Sequence, residues 1–158
     1  MAQGNNSKSL FAAAKPSEFH MVDFWGAHPN KKKAERWLRL KSSVEQKFST
    51  QIKEGIAFVH EGDFSDIVPG FPDRHFDWVY IDGLHQYQYV KRDIELMLPK
   101  MKPGAFMSGH DFTVDHDWGS GVVRAVLEFV QDTNSKFVAV TNEVYSSWVI
   151  QLPQPTLL

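Results

Sequence analysis

Residues 76–83 read FDWVYIDG, and this stretch decides the fold. Aromatic and β-branched side chains fill residues 76–81, which is typical of a strand, and Asp82 and Gly83 mark its end. An apolar stripe at helical spacing follows, made by Tyr87, Val90, Ile94, Met97 and Met101. A strand followed by an amphipathic helix is the repeating unit of α/β proteins with a parallel sheet.

The same alternation extends in both directions along the chain. Lys102-Pro103-Gly104 is predicted to end the central helix as a turn. The last two strands are separated by a short turn and are expected to be antiparallel. The fold class is therefore α/β, mostly parallel with an antiparallel last strand. Further strands are predicted at 19–23, 56–60, 105–109, 136–140 and 147–152, and helices around 34–48 and 122–130.

Length and composition narrow the class of protein. The 158 residues suit one domain over 1–152 with a Pro-containing tail at 153–158. The 17 basic and 19 acidic residues disfavour nucleic acid as a partner, because phosphate binding needs clustered positive charge. Neither a membrane span nor a secretory signal is visible, and the lack of cysteine fits a reducing compartment, so a cytoplasmic location is expected.

The first two predicted strands end on polar residues. Asp23 can accept hydrogen bonds from two ribose hydroxyls, or it can simply cap the next loop. Gly62 admits a flat ligand close to the backbone. Asp63 can accept from an exocyclic amine, cap a short helix that begins at Phe64, or do both.

The next two strands end on acids and histidines. Asp82, His110 and Asp111 form an oxygen and nitrogen set that can hold Mg²⁺ or Mn²⁺. The alternatives are a polar loop without metal, or a histidine that acts as a general base. Because carboxyl ends of parallel strands share one edge of a sheet, the four strand ends are expected to lie together.

Two blocks carry a family resemblance: 76–93, FDWVYIDGLHQYQYVKRD, and 98–112, LPKMKPGAFMSGHDF. They resemble class I S-adenosylmethionine-dependent methyltransferases, and within these the small-molecule and sugar O-methyltransferases related to macrocin O-methyltransferase. The segments 121–129 and 147–151 resemble the family's usual ending, so the resemblance covers about residues 4–152. It implies a Rossmann-like sheet and S-adenosylmethionine as cofactor.

The resemblance also implies roles for individual residues. Asp23 matches the ribose-binding acid, and Asp82 matches a residue beside the methionine part or a metal. His85 and His110 are the candidate catalytic bases, and Asp111 would complete a metal set with Asp82 and His110. The residues that match the adenine site are Gly62, Asp63 and Phe64.

The beginning of the chain departs from the family pattern. Gly4 to Lys15 resembles the last glycine of the cofactor turn and the first helix, so the opening strand and most of the glycine-rich turn are expected to be absent. That strand lies at the middle of the family's sheet, between the strands that end at Asp23 and Asp82. Weaker cofactor binding is expected, and a homo-oligomer could cover the gap.

The function expected from these features is methyl transfer to an oxygen of a small polar or sugar-like acceptor, with Mg²⁺ or another divalent cation as a possible second cofactor. A non-catalytic module that binds S-adenosylmethionine or a nucleoside is the alternative, and cleavage of the cofactor is a lower one. No membrane partner is expected. Trp25 and Trp118 can line the pocket or simply pack.

Overall fold

A computed structural model describes residues 4–25, 31–114 and 120–154, with the backbone alone at 31–33. The chain forms two compact units, Met1–Ile67 and Val68–Leu158. Among the described residues, no helix combines the length and apolarity that crossing a bilayer requires.

The first unit contains a parallel two-stranded sheet. Strand β1 spans Phe19–Asp23 and strand β2 spans Ala57–Glu61, paired in register from Phe19 opposite Ala57 to Asp23 opposite Glu61. The helices of this unit are α1 (Asn5–Ala14), α2 (Lys31–Lys47), α3 (Ser49–Lys53) and α4 (Phe64–Ile67).

Aromatic packing forms the core of the first unit. Phe11 of α1 and Phe48 both pack on Phe19 of β1, with ring centroids 5.5 and 5.8 Å from that of Phe19. Val44 of α2 is buried and lies against Gly4, which precedes α1 in a left-handed conformation. These contacts cover the sheet face that carries Phe19 and Met21, since both residues are buried.

The second unit contains a four-stranded sheet in the order β3-β4-β6-β5. Strands β3 and β4 are parallel, and β6 is antiparallel to both of its neighbours. One-turn 3₁₀ helices span Val68–Gly70 and Leu98–Lys100. The other elements are β3 (Phe76–Ile81), α5 (Tyr87–Met97), β4 (Met101–Gly109), α6 (Gly121–Thr133), β5 (Lys136–Val140) and β6 (Trp148–Gln151).

The core of the second unit lies between the sheet and the helix pair. Helices α5 and α6 pack against each other, and their apolar stripes are buried at Ile94 and Val126. Met107 of β4 and Ile150 of β6 are fully buried cross-strand partners. Burial of such side chains stabilises the fold by about 1.5–3 kcal/mol each.

The structure confirms the predicted fold class, α/β with a mostly parallel sheet and an antiparallel last strand. The turn predicted at 102–104 is wrong, because these residues belong to β4, which begins at Met101. Met101 pairs with Phe76. Gly104 has a positive φ of 74° in an irregular stretch of the strand, and its N–H donates to the carbonyl oxygen of Pro153. The Pro103-Gly104 pair therefore marks an irregularity inside a strand and not a turn. The one-domain boundary at residue 152 stays a prediction.

Gly109→Ala is expected to destabilise the second unit. A Cβ at Gly109 would lie 2.5 Å from the carbonyl oxygen of Ile81 and 2.8 Å from the indole ring of Trp148. Overpacking of this kind costs about 1–3 kcal/mol, which urea unfolding would measure. The matched control is Gly70→Ala, whose Cβ would meet no atom within 4 Å. Equal unfolding midpoints for the two variants would contradict the packing described.

Candidate functional site

The carboxyl edge of the first unit's sheet holds Asp23. The residue ends β1 opposite Glu61, and its backbone oxygen accepts the N–H of Gly62 at 3.2 Å. Its Oδ1 accepts the N–H of Phe24 at 2.7 Å, which fixes the carboxylate on the loop that leaves the strand. A carboxylate offers about four acceptor positions in all, so this contact is compatible with a ligand.

Asp63 lies at the same edge, directly after β2. Its Oδ1 accepts both the N–H and the hydroxyl of Ser65, at 2.8 and 2.6 Å. Its backbone oxygen accepts from Asp66 and Ile67, so Asp63 caps the start of α4. The helix-capping interpretation is therefore correct for Asp63, and Gly62 and Phe64 flank it at this edge.

The carboxyl edge of the second unit's sheet brings Asp82, His85 and Asp111 together. Asp82 follows β3 and Asp111 follows β4, and the N–H of His110 donates to the carbonyl of Ile81 at 3.1 Å. One ligand atom from each of Asp82, His85 and Asp111 lies within 4.8 Å of the other two. Because β3 and β4 pair in parallel, Asp82 and Asp111 lie close together although they are almost thirty positions apart in the sequence.

The Asp111 carboxylate contacts two imidazoles: it is hydrogen-bonded to His110 and lies within ion-pair distance of His85. Its Oδ2 lies 3.0 Å from Nε2 of His85 and 3.1 Å from Nδ1 of His110. Asp111 is 7% exposed, whereas the side chains of His85 and His110 are 27% and 30% exposed. Both histidines can therefore meet a ligand while the carboxylate holds them from inside.

The backbone also favours this arrangement. Asp111 adopts a left-handed conformation with φ 59°, which aspartate tolerates better than most residues. At the other side of the cluster, α6 begins at Gly121, where a Cβ would lie 2.5 Å from the carbonyl oxygen of His85. Only glycine lets the helix approach the His85 loop so closely.

The cluster differs from the predicted metal set in one member. Asp82, His110 and Asp111 were expected to share an ion, but the histidine that lies with both aspartates is His85. His110 instead contacts the Asp111 carboxylate through Nδ1, 3.1 Å from Oδ2. The reason is that the loop after β3 turns back over the end of β4, which sequence spacing does not reveal.

Asp93 is a buried acid that sequence reasoning missed. It lies on the buried side of α5 and pairs with Arg92 at 2.8 Å. Its Oδ2 lies 3.3 Å from the position of a Cβ on Gly83, so it packs under the loop that carries Asp82 and His85. The sequence does hold a signal for it, because Asp93 is an acidic residue on the same helix face as the apolar residues Val90, Ile94 and Met97.

Two tryptophans were expected to line a pocket or to pack. Trp25, two residues after Asp23, is buried at 3% exposure. Its indole N–H has no hydrogen-bond partner within the described part of the chain. Trp118 lies outside the described residues.

Comparison with known proteins agrees with this arrangement of strands. A family model described as a methyltransferase domain matches residues 1–112. The architecture and the match together define the class of protein as an α/β methyltransferase. The chain belongs to the methyltransferase-domain family. No curated protein matches the sequence.

Solved structures share the fold at low sequence identity. An O-methyltransferase from Bacillus cereus, solved with SAH, is 13% identical, with a TM-score of 0.62 over 96% of this chain and 80% of that one. The O-methyltransferase TomG from Streptomyces achromogenes, solved with SAM, is 16% identical, with a TM-score of 0.57 over 96% and 79%. A protein from Corynebacterium glutamicum is 10% identical, with a TM-score of 0.59. The match covers 86% of this chain and 61% of that one.

The shared carboxylate of Asp111 predicts the tautomers of both histidines. Because a carboxylate only accepts, neutral His85 should carry its proton on Nε2 and neutral His110 on Nδ1. Long-range ¹H–¹⁵N correlation spectra of labelled protein would report both. Asp111→Ala should release His110 from the Nδ1–H form, while Asp77→Ala, at an exposed carboxylate of β3, should not. An unprotonated Nδ1 on neutral His110 in the wild type would contradict the geometry.

Proposed function

We propose that this chain transfers the methyl group of S-adenosylmethionine to an oxygen of a small polar or sugar-like acceptor, as the small-molecule O-methyltransferases related to macrocin O-methyltransferase do. The observation that carries the proposal is the contact between Nε2 of His85 and Oδ2 of Asp111, 3.0 Å apart, at the carboxyl edge of the second unit's sheet in a methyltransferase-family chain. The O-methyltransferases from B. cereus and S. achromogenes, whose structures hold SAH and SAM, support the choice of cofactor.

The chain offers a chemically suitable set of residues for the adenosyl group. Asp23 places a carboxylate at the strand end, where two ribose hydroxyls can donate to it. Asp63 can serve the adenine amine as well as capping α4, because one carboxylate has acceptor positions for both. Gly62 and Phe64 supply close backbone approach and an apolar surface, and Asp82 is proposed to face the methionine part.

His85 is the proposed general base. When bound, S-adenosylmethionine supplies a methyl group on a positively charged sulfur that leaves as a neutral thioether. Nε2 of His85 faces the Asp111 carboxylate, so Nδ1 is the nitrogen proposed to take the acceptor's hydroxyl proton. Asp111 stabilises the imidazolium that results, and it holds the ring in one orientation. His110 is the second candidate for the same role.

A divalent cation at Asp82, His85 and Asp111 is the alternative way to activate the acceptor. Two carboxylates and one imidazole are ligands that Mn²⁺ and related ions accept. Such an ion would draw its ligands from His85 and Asp111, which already contact each other at 3.0 Å. For this reason we favour the base over the metal.

A non-catalytic module that binds S-adenosylmethionine or a nucleoside is the second candidate. The observation that favours it is the division of the strands into two sheets, β1-β2 and β3-β4-β6-β5, as expected if the family's central strand is absent. The same division supports weaker cofactor binding. Cofactor cleavage, a homo-oligomer and a cytoplasmic location stay predictions.

Asp23→Ala is expected to weaken S-adenosylhomocysteine binding by about 1–3 kcal/mol, because two hydroxyl donors lose a charged acceptor. Isothermal titration calorimetry would measure the change. Asp77→Ala is the control, since it removes an exposed carboxylate of β3 that pairs with Lys102. Unchanged affinity in folded Asp23→Ala would reject the ribose role.

His85→Gln is expected to lower kcat by about 10²–10⁴-fold while changing S-adenosylhomocysteine affinity little, because the base acts only during transfer. Formation of S-adenosylhomocysteine over a panel of hydroxylated acceptors would measure kcat, and a sample without acceptor would detect cleavage. Binding without turnover on any acceptor would favour the module. Loss of activity with a chelator, restored by Mg²⁺ or Mn²⁺, would replace the base mechanism with the metal one.

A further inference from the structure

Two histidines face each other on the first unit's sheet. His20 is the second residue of β1 and His60 is the fourth residue of β2, opposite Phe58 and Val22 respectively. Alternation along the strands places His20, Phe58 and His60 on one face of the sheet. This is the face opposite to the one covered by Phe19 and its aromatic partners.

The two imidazoles point nitrogen to nitrogen. Nδ1 of His20 lies 2.8 Å from Nε2 of His60, and the ring planes are only 22° apart. The ring of Phe58 stacks on His20 with centroids 4.8 Å apart and an interplanar angle of 12°, which limits rotation of the His20 ring. Both rings stand on hydrogen-bonded strands, so their spacing is set by the backbone.

Glu18 determines which nitrogen of His20 carries the proton. Its Oε1 lies 2.9 Å from Nε2 of His20, so Nε2 donates to the carboxylate and Nδ1 keeps its lone pair, aimed at His60. A carboxylate behind a histidine in this way is the arrangement that orients histidine ligands in metal sites and raises their basicity.

His60 is suited to be the second ligand. Burial and, to a smaller extent, the neighbouring His20 lower the pKa of His60 below its ordinary value. A metal ion binds the neutral form of an imidazole. Moving its proton from Nε2 to Nδ1 presents a second lone pair toward the same point.

We propose that His20 and His60 form a two-imidazole site for a divalent transition metal ion such as Zn²⁺ or Cu²⁺, with Glu18 as the orienting carboxylate. Metal–nitrogen bonds of about 2.0–2.1 Å with ligands at roughly right or tetrahedral angles place the nitrogens about 2.8–3.4 Å apart. The present 2.8 Å separation lies at the lower end of that range. Imidazole nitrogens favour Zn²⁺, Cu²⁺ and Ni²⁺ over Mg²⁺.

The site would act as a clip between β1 and β2. A two-stranded ladder contributes little stability by itself, and a metal ion bound by one residue from each strand would hold the strands together. Because Asp23 and Asp63 follow these strands, the clip would also steady the residues proposed to bind the adenosyl group. This consequence rests on the proposed function, but the metal site itself does not.

The test is binding of Zn²⁺ and Cu²⁺ to the full chain near pH 7. We expect Zn²⁺ to raise the thermal midpoint, and the paramagnetic resonance spectrum of bound Cu²⁺ to show coupling to two imidazole nitrogens. His20→Gln and His60→Gln should each abolish the two-nitrogen pattern. Glu18→Gln should weaken Zn²⁺ binding about 10-fold or more, which is typical for loss of an orienting partner.

The control is His85→Gln, which alters the other histidine cluster and should leave the two-nitrogen pattern unchanged. A two-nitrogen pattern that persists in His60→Gln, or no effect of Zn²⁺ on the wild type, would overturn the proposal. If His20→Gln or His60→Gln fails to fold, Glu18→Gln decides, since its side chain is exposed; unchanged Zn²⁺ affinity in that variant would overturn the site. All these measurements are independent of methyl transfer.

Discussion

A carboxylate inside a protein is stable only when polar partners replace the water it has lost, and Asp111 meets this constraint through the imidazoles of His85 and His110. The requirement draws the His85 loop over the end of β4, against the start of α6. Gly109 and Gly121 make the approach possible, because each lies where a side chain would collide with backbone. The candidate chemistry of the second unit is therefore a consequence of how one buried acid is satisfied.

Much of the fold was predictable from residue patterns. Strong β-type runs, such as residues 76–81 and 136–140, gave strands with nearly the observed bounds, since their side chains leave few alternatives. The helical stripe predicted from Tyr87 to Met101 was correct as far as Met97, whereas Met101 begins β4. The family resemblance was right at the level of the methyltransferase class. The turn predicted at Lys102-Pro103-Gly104 was wrong. Pairing of Met101 with Phe76 keeps these residues in a strand, although their residue types favour a turn.

The candidate site was predictable only in part. The strand-end rule correctly put Asp23 and Asp63 at one edge of the β1-β2 sheet, and Asp82 and Asp111 at one edge of the second unit's sheet, because the ends of parallel strands share an edge. Their functional roles stay predictions. The rule could not decide between His85 and His110, since that choice depends on how a loop folds back. The pair His20–His60 was missed for a related reason: two histidines forty residues apart become neighbours only once the register of β1 and β2 is known.

The shared oxygen of Asp111 also constrains how the sequence can vary. His85 and His110 come from different segments and bind one atom, so a change at either alters what the other contributes. Residues in such contact show non-additive effects of about 0.5–3 kcal/mol in double-mutant cycles. The two positions should consequently display epistasis, and a lineage that replaces one histidine would come under changed selection at the other.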